Sequence, residues 1–283
     1  MGDRWSEWLR ARRDGGSPEQ RRLTLEHLAP IRDRILDQAE VTPDDVLLDV
    51  GCGDGLIGLG ALDRGARVIF SDISEECLVD CRGIAGDAAE YRLASATDLG
   101  NIAADVVTAR SVLIYVPDKA RAFAEFFRVL RPDGRLSLFE PINRFGLETR
   151  REKFGFRDTA GVEELLARVI EEVRRVDGEA LEPMIDFDER DLLAHAENAG
   201  FADLRLELTV EVSQRPMWTT RDWDVFLDSS PNPLSPTFRE AMNAALSPRE
   251  AARLEEVLRP QFEAGEGTSR MAHAFLVGRK PEG

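Results

Sequence analysis

The sequence predicts an α/β fold with a doubly wound, mostly parallel sheet. Three observations carry this. Strands and helices alternate between about residues 45 and 140. Two of the apolar runs end in an acid, Asp49 (one residue from the end) and Asp72. The first run breaks into three glycines at alternate positions, Gly51, Gly53 and Gly55. An apolar run without period-2 alternation fits a strand buried on both faces. Glycine then allows a tight turn and close approach to the main chain. In order, Val46–Val50 is the first strand, Leu56–Arg64 a helix, and Arg67–Asp72 the second strand. Glu75–Ile84 is the next helix, Tyr91–Ala94 a short third strand and Ala104–Ala109 the fourth. Lys119–Leu130 places Ala122, Phe123, Phe126, Phe127 and Leu130 at helical spacing. Arg131–Gly134 is a turn and Arg135–Glu140 the fifth strand.

Helical and mixed segments flank this core. Ser17-Pro18-Glu19-Gln20 opens a helical stretch to about Ala39, with a bend expected at Pro30. A helix is expected over Val162–Val176, and Asp188 caps another that Gly200 stops. Ala202–Ser213 and Ala272–Gly278 are the remaining strands, separated by a long stretch, 214–269.

Composition narrows the function. The 283 residues are 43% hydrophobic and 32% charged, an ordinary globular balance. Net charge is −16, from 37 basic and 53 acidic residues. That argues against a nucleic-acid partner, which demands a basic surface. No apolar run approaches the ~20 residues of a membrane helix, and the N-terminus lacks a signal-peptide core. The sequence therefore points to a cytoplasmic protein. The scarcity of lysine beside arginine suggests GC-rich bacterial coding. Three cysteines (Cys52, Cys77, Cys81) are too few for a disulfide framework, and with three scattered histidines no metal site is expected.

The glycine turn reads as a nucleotide-type site, and two registers compete. Gly51-x-Gly53-x-x-Leu56 lacks the third glycine of a dinucleotide fingerprint. Gly53-x-Gly55-x-x-Gly58 satisfies it but starts three residues past the strand. The longer pattern resembles the class I S-adenosylmethionine (SAM)-dependent methyltransferases of the small-molecule group. The resemblance runs through Leu47–Gly55, Phe70–Ser74, Ala94–Leu99, Asp105–Val116 and Phe127–Leu136. It implies seven strands, the last antiparallel, SAM as cofactor, and methyl transfer to a small molecule, with specialised metabolism as the expected setting. The chain then divides into an N-terminal helical extension (1–40), a SAM-binding core (41–141), a helical cap segment (142–186), a core continuation (187–213), a cap insertion (214–269) and the last core strand (270–283).

The resemblance also implies roles. Gly51 and Gly53 would pass close to the methionine part of SAM. Asp49 would organise the turn and reach the ammonium. Asp72 would accept from the ribose hydroxyls, and Asp98 from the adenine amino group. Ala96 and Thr97 would lie along the adenine ring, and Ile73 on one face of it. Arg110 and Ser111 would meet the methionine end. Ligands of such sheets sit at the strands' carboxyl ends, which draws attention to Tyr115, Glu140, Asn143 and Arg144. Glu140, ending a buried strand, is a candidate base, a binder of a cationic acceptor, or a loop cap. His27 is a second candidate base; Tyr115 either lines the pocket or packs. His195 and His273 are expected to be structural, His273 away from the pocket. Trp218 and Trp223 either line an acceptor pocket or anchor the cap to the sheet or to a second subunit, as in a homodimer. Alternatives are a nicotinamide-linked oxidoreductase, a catalytically silent SAM-binding regulator, and a disfavoured arsenite methyltransferase.

Overall fold

The strands are β1 (Val46–Val50), β2 (Arg67–Asp72), β3 (Ala89–Leu93), β4 (Ala104–Arg110), β5 (Leu130–Pro141), β6 (Ala202–Ser213) and β7 (Ser269–Arg279). A computed structural model describes residues 3–146, 153–216 and 219–282. The seven strands form one sheet in the order β3-β2-β1-β4-β5-β7-β6. β1 to β5 pair in parallel; β7 runs antiparallel to both β5 and β6. The expected turn at 131–134 is a bulge within β5. Pairing passes from Ala104–Leu130 to Val106–Arg135, and Asp133 takes a positive φ of 61°.

Helices α1 (Pro18–Gln38), α2 (Leu56–Asp63), α3 (Glu75–Ala85) and α4 (Lys119–Val129) accompany the core. Ser17 caps α1 by accepting from the Gln20 amide, with proline at the first turn as the sequence predicts. The helix continues through Pro30. Side chains of β1 alternate between two cores. Leu48 and Val50 pack with Phe123 and Phe126 of α4 on one face. Leu47 packs with Ile35 and Leu36 of α1 and with Phe70 on the other. Both faces are covered, so all five β1 residues are buried.

Beyond β5 the chain builds α5 (Glu163–Asp177) and α6 (Glu189–Ala199), and between β6 and β7 it builds α7 (Trp223–Asp228), α8 (Phe238–Ala245) and α9 (Pro248–Glu263). Asp188, Thr237 and Ser247 each start a helix with a reciprocal capping box. Gly200 ends α6 with φ 103°. Helix α5 and the 219–268 stretch share a third core around Phe156, Leu166, Val169, Trp223, Phe262 and Leu258. The two cap segments, distant in sequence, are therefore one packed unit. Among the described residues no helix is long and apolar enough to cross a membrane.

Candidate functional site

The turn after β1 is built by two carboxylates. Asp49 Oδ2 accepts from the Gly58 amide at 2.9 Å, and its Oδ1 accepts from the Thr108 hydroxyl at 3.2 Å. This ties β1, β4 and the first turn of α2 together. Asp72 Oδ2 accepts from the Gly53 amide and Oδ1 from the Ser74 amide, both at 2.9 Å. Both acids are buried, and burial raises both pKa values, Asp49 to about 7. Gly51 has φ +63°, and a Cβ there would meet Val112 Cγ2 at 2.5 Å. Gly58, the third glycine of the formal dinucleotide register, serves packing: a Cβ would stand 2.2 Å from Phe70 Cε1. Its presence is explained by α2 lying tight on β2.

The turn opens into a cleft of about 900 Å³. Of the residues singled out from the sequence, Asp49, Gly51, Gly53, Asp72, Ile73, Ala96, Thr97, Arg110, Ser111, Tyr115, Asn143 and His27 line it. Ile73 is 56% exposed, an apolar side chain held at the cleft wall beside Asp72. The Arg110 guanidinium forms no hydrogen bond or ion pair with another described residue; burial pulls its pKa down, opposed by Asp54 and Asp49. A cation at the end of β4, an acid at the end of β2 and a glycine main chain between them suit a ligand with a carboxylate, a ribose and a flat ring.

A strap of residues 3–13 crosses the mouth. Trp5, Trp8 and Leu9 line the cleft. Arg10 pairs with Asp80 at 2.6 Å and Arg13 with Asp54 at 2.9 Å on the sheet side. On the cap side Trp8 Nε1 donates to the Ser230 carbonyl and Arg12 pairs with Glu240. Trp5 meets Tyr115 edge-on at 4.9 Å, so Tyr115 both lines the cleft and packs.

Several expectations change. Glu140 does not face the cleft. Its side chain is fully buried; Oε1 accepts from the Val112 and Leu113 amides at 2.9 and 3.0 Å, and Oε2 from Ile114 at 3.4 Å. Burial raises its pKa to about 7. It is the loop cap among its three possible roles, holding the segment that presents Tyr115. Asp98 is exposed, takes the Gly100 amide at 3.3 Å and is not on the cleft wall; the neighbouring Ser95, Ala96 and Thr97 are. Trp223 turns into the cap core beside Phe226 and Phe262, at 5.3 and 5.4 Å between rings, and away from the cleft. Arg144 is exposed and off the cleft wall. Trp218 lies outside the described residues. Conversely, His273 lines the cleft, half-buried against Phe139 at 5.1 Å. Desolvation lowers its pKa, opposed by Glu211 and reinforced by Arg34. The signal was available in the topology: a last strand antiparallel to β5 brings its early residues to β5's carboxyl end, and His273 pairs with Pro141. Cys52 and Cys81 place their sulfurs 3.9 Å apart, and no metal-ligating cluster of three or more groups occurs among the described residues.

Comparison with known proteins agrees with this geometry. Residues 48–138 match the family model of a methyltransferase domain. A ubiquinone biosynthesis O-methyltransferase of Hahella chejuensis is 35% identical over 126 residues, 42% of this chain and 52% of the relative. A nocamycin O-methyltransferase of Saccharothrix syringae is 36% identical over 130 residues, 42% of this chain and 45% of the relative. The chain thus spans about half the length of these curated relatives. Among solved structures, a geranyl diphosphate methyltransferase in complex with SAM superposes with TM-score 0.52 at 18% identity, covering 96% of this chain and 94% of that one; this likeness is one of fold. With its sheet order, its glycine turn and the family match over residues 48–138, the chain carries the domain of the class I SAM-dependent methyltransferases, and SAM is its cofactor.

Proposed function

We propose that the protein methylates a hydroxyl of a small molecule. The observation that carries this reading is the cleft itself. The elements that suit SAM occupy its β1–β2 side, while the remaining wall of Asn143, Met184, Asn232 and His273 is left for an acceptor under the cap. SAM supplies an electrophilic methyl group bonded to a sulfonium. Every other contribution comes from this chain. Asp72 would hold the ribose, the Ala96–Thr97 main chain and Ile73 the adenine, and Arg110 the carboxylate end. Strap and cap stand over the cleft from both sides and would hold the two reactants oriented there. The two O-methyltransferase relatives support oxygen as the atom methylated, and the nocamycin enzyme's name supports a specialised-metabolic setting. A hydroxyl must give up its proton, and His273 is the acceptor we assign: it stands on the cleft wall with its pKa held below the usual histidine value. Calorimetric titration of the purified protein with SAM and with NADH tests the core of this reading. SAM binding without NADH binding is expected; the reverse overturns it.

A further inference from the structure

A second cavity, of about 370 Å³, lies beneath the cap. It adjoins the cleft, sharing Asn143, Met184, Pro231 and Asn232 with it. We propose that it seats the body of the acceptor, and that this body is neutral and apolar, on the scale of a fused aromatic ring system. The proposal rests on the methyl-transfer reading above and adds the substrate class.

Three observations lead there. The first is the wall. Ile170 and Val173 of α5, Phe226 of α7, Phe238 of α8, and Met184 and Ile185 face the space. The first four are the inward sides of the cap's helices and the last two belong to the sheet-side core, so the cavity lies where the two cores meet incompletely. The second is size. The volume is more than twice the ~150 Å³ apolar cavity that admits benzene, and it falls in the range of ~300–1,000 Å³ typical of ligand pockets. The third is charge. Every charged side chain on the wall already has a partner, although one nitrogen of the Arg13 guanidinium, Nη2, makes no hydrogen bond. Arg13 lies between Asp14 and Asp54, at 3.1 and 2.9 Å. Asp14 also accepts from the Thr24 hydroxyl at 2.7 Å. Arg174 pairs with Glu171, and Asp177 accepts from the Ser235 hydroxyl at 2.6 Å. A charged body entering here would lose its hydration and find each opposite charge already balanced, Arg13 by two acids. A neutral apolar body loses nothing polar and gains the contacts of six hydrophobic side chains. The shared residues at the junction then leave the acceptor's hydroxyl directed into the cleft, where the donor binds.

Three probes with one ring system and different charge test this: 2-naphthol, 2-naphthoate and 2-naphthylmethylammonium. Each is titrated into the 283-residue protein with and without S-adenosylhomocysteine, by calorimetry. 2-Naphthol is expected to bind, and both charged probes to bind at least about tenfold more weakly. Val173→Trp, which fills the cavity, is expected to weaken 2-naphthol about tenfold or more while leaving S-adenosylhomocysteine affinity within about twofold. That second measurement also reports that the variant is folded; Ile185→Phe is the backup substitution from another element. The inference is overturned if a charged probe binds as well as 2-naphthol, if 2-naphthol does not bind at ~1 mM, or if neither filling variant weakens it. Failure of S-adenosylhomocysteine to bind overturns the methyl-transfer reading instead, and the probe titrations on the protein alone still decide the cavity.

Discussion

Replacing Asp49 with asparagine should make the protein's stability respond to pH in a defined way. Asp49 is 2% exposed, and burial lifts its pKa from 3.8 to about 7. Since the folded value lies above the unfolded one, the folded chain keeps this proton over a range where the unfolded chain releases it. The contribution of Asp49 is therefore fully present below about pH 3.8 and is lost as pH rises through 7. A rise of that size corresponds to about 4 kcal/mol. Asparagine has nearly the same shape and no proton to keep. Its amide cannot replace both accepting oxygens, so a pH-independent loss of about 1–3 kcal/mol is expected from the bond to Gly58 or Thr108. Relative to the unsubstituted protein, D49N should then gain about 4 kcal/mol between about pH 4 and pH 8. Taking the difference between the two proteins cancels other titrating groups, Glu140 among them. Urea unfolding followed by tryptophan fluorescence, repeated across that pH range, measures it. A difference that stays flat to within ~1 kcal/mol would refute the claim that Asp49 is a buried, proton-holding group.

Other outcomes follow from the same geometry. Gly58→Ala should cost about 1–3 kcal/mol, because its Cβ would stand 2.2 Å from a ring carbon of buried Phe70. Gly83→Ala in α3 has nothing within 4 Å and should gain about 0.5–1 kcal/mol; equal effects in chemical denaturation would contradict the packing account. His273→Gln should lower kcat by about 10²–10⁴-fold and abolish the acid limb of the pH–rate profile. That limb should lie below the ordinary histidine value of 6.5, since desolvation lowers the His273 pKa. SAM affinity should be unchanged, and a kcat within about threefold of the parent would remove His273 from the reaction.

Much of the donor half was legible because its signals are local. β1, β2 and β4 are runs of apolar residues bounded by turn chemistry, and each falls where the spacing places it. Asp49 and Asp72 stand out because an acid at the end of a doubly covered strand needs partners. Which partners it finds is not local. Glu140 looked equally suited to acting on a substrate and to capping a loop. What decides is that Val112, Leu113 and Ile114 turn their amides toward it from the end of β4. Asp98 follows a motif by position, yet the tight turn from Ser95 leaves its carboxylate accepting from the Gly100 amide. His273 is the opposite case: an antiparallel last strand beside β5 already brings its early residues to the cleft end of the sheet, and pairing with Pro141 puts His273 there. Trp223 was ambiguous because an aromatic side chain suits a ligand wall and a small helical core equally, and only the distant α5 supplies that core.

The cap's separate core has an implication for how such a protein can change. The apolar side chains of α5, α7, α8 and α9 pack with one another, while Met184 and Ile185 pack with the sheet-side core of β1 and α4. Ile170, Val173, Phe226 and Phe238, which face the second cavity from that separate core, could therefore be resized without disturbing Asp49, Asp72 or the glycine turn. Substitutions at those four positions would change the acceptor compartment and leave the donor-binding turn as it is.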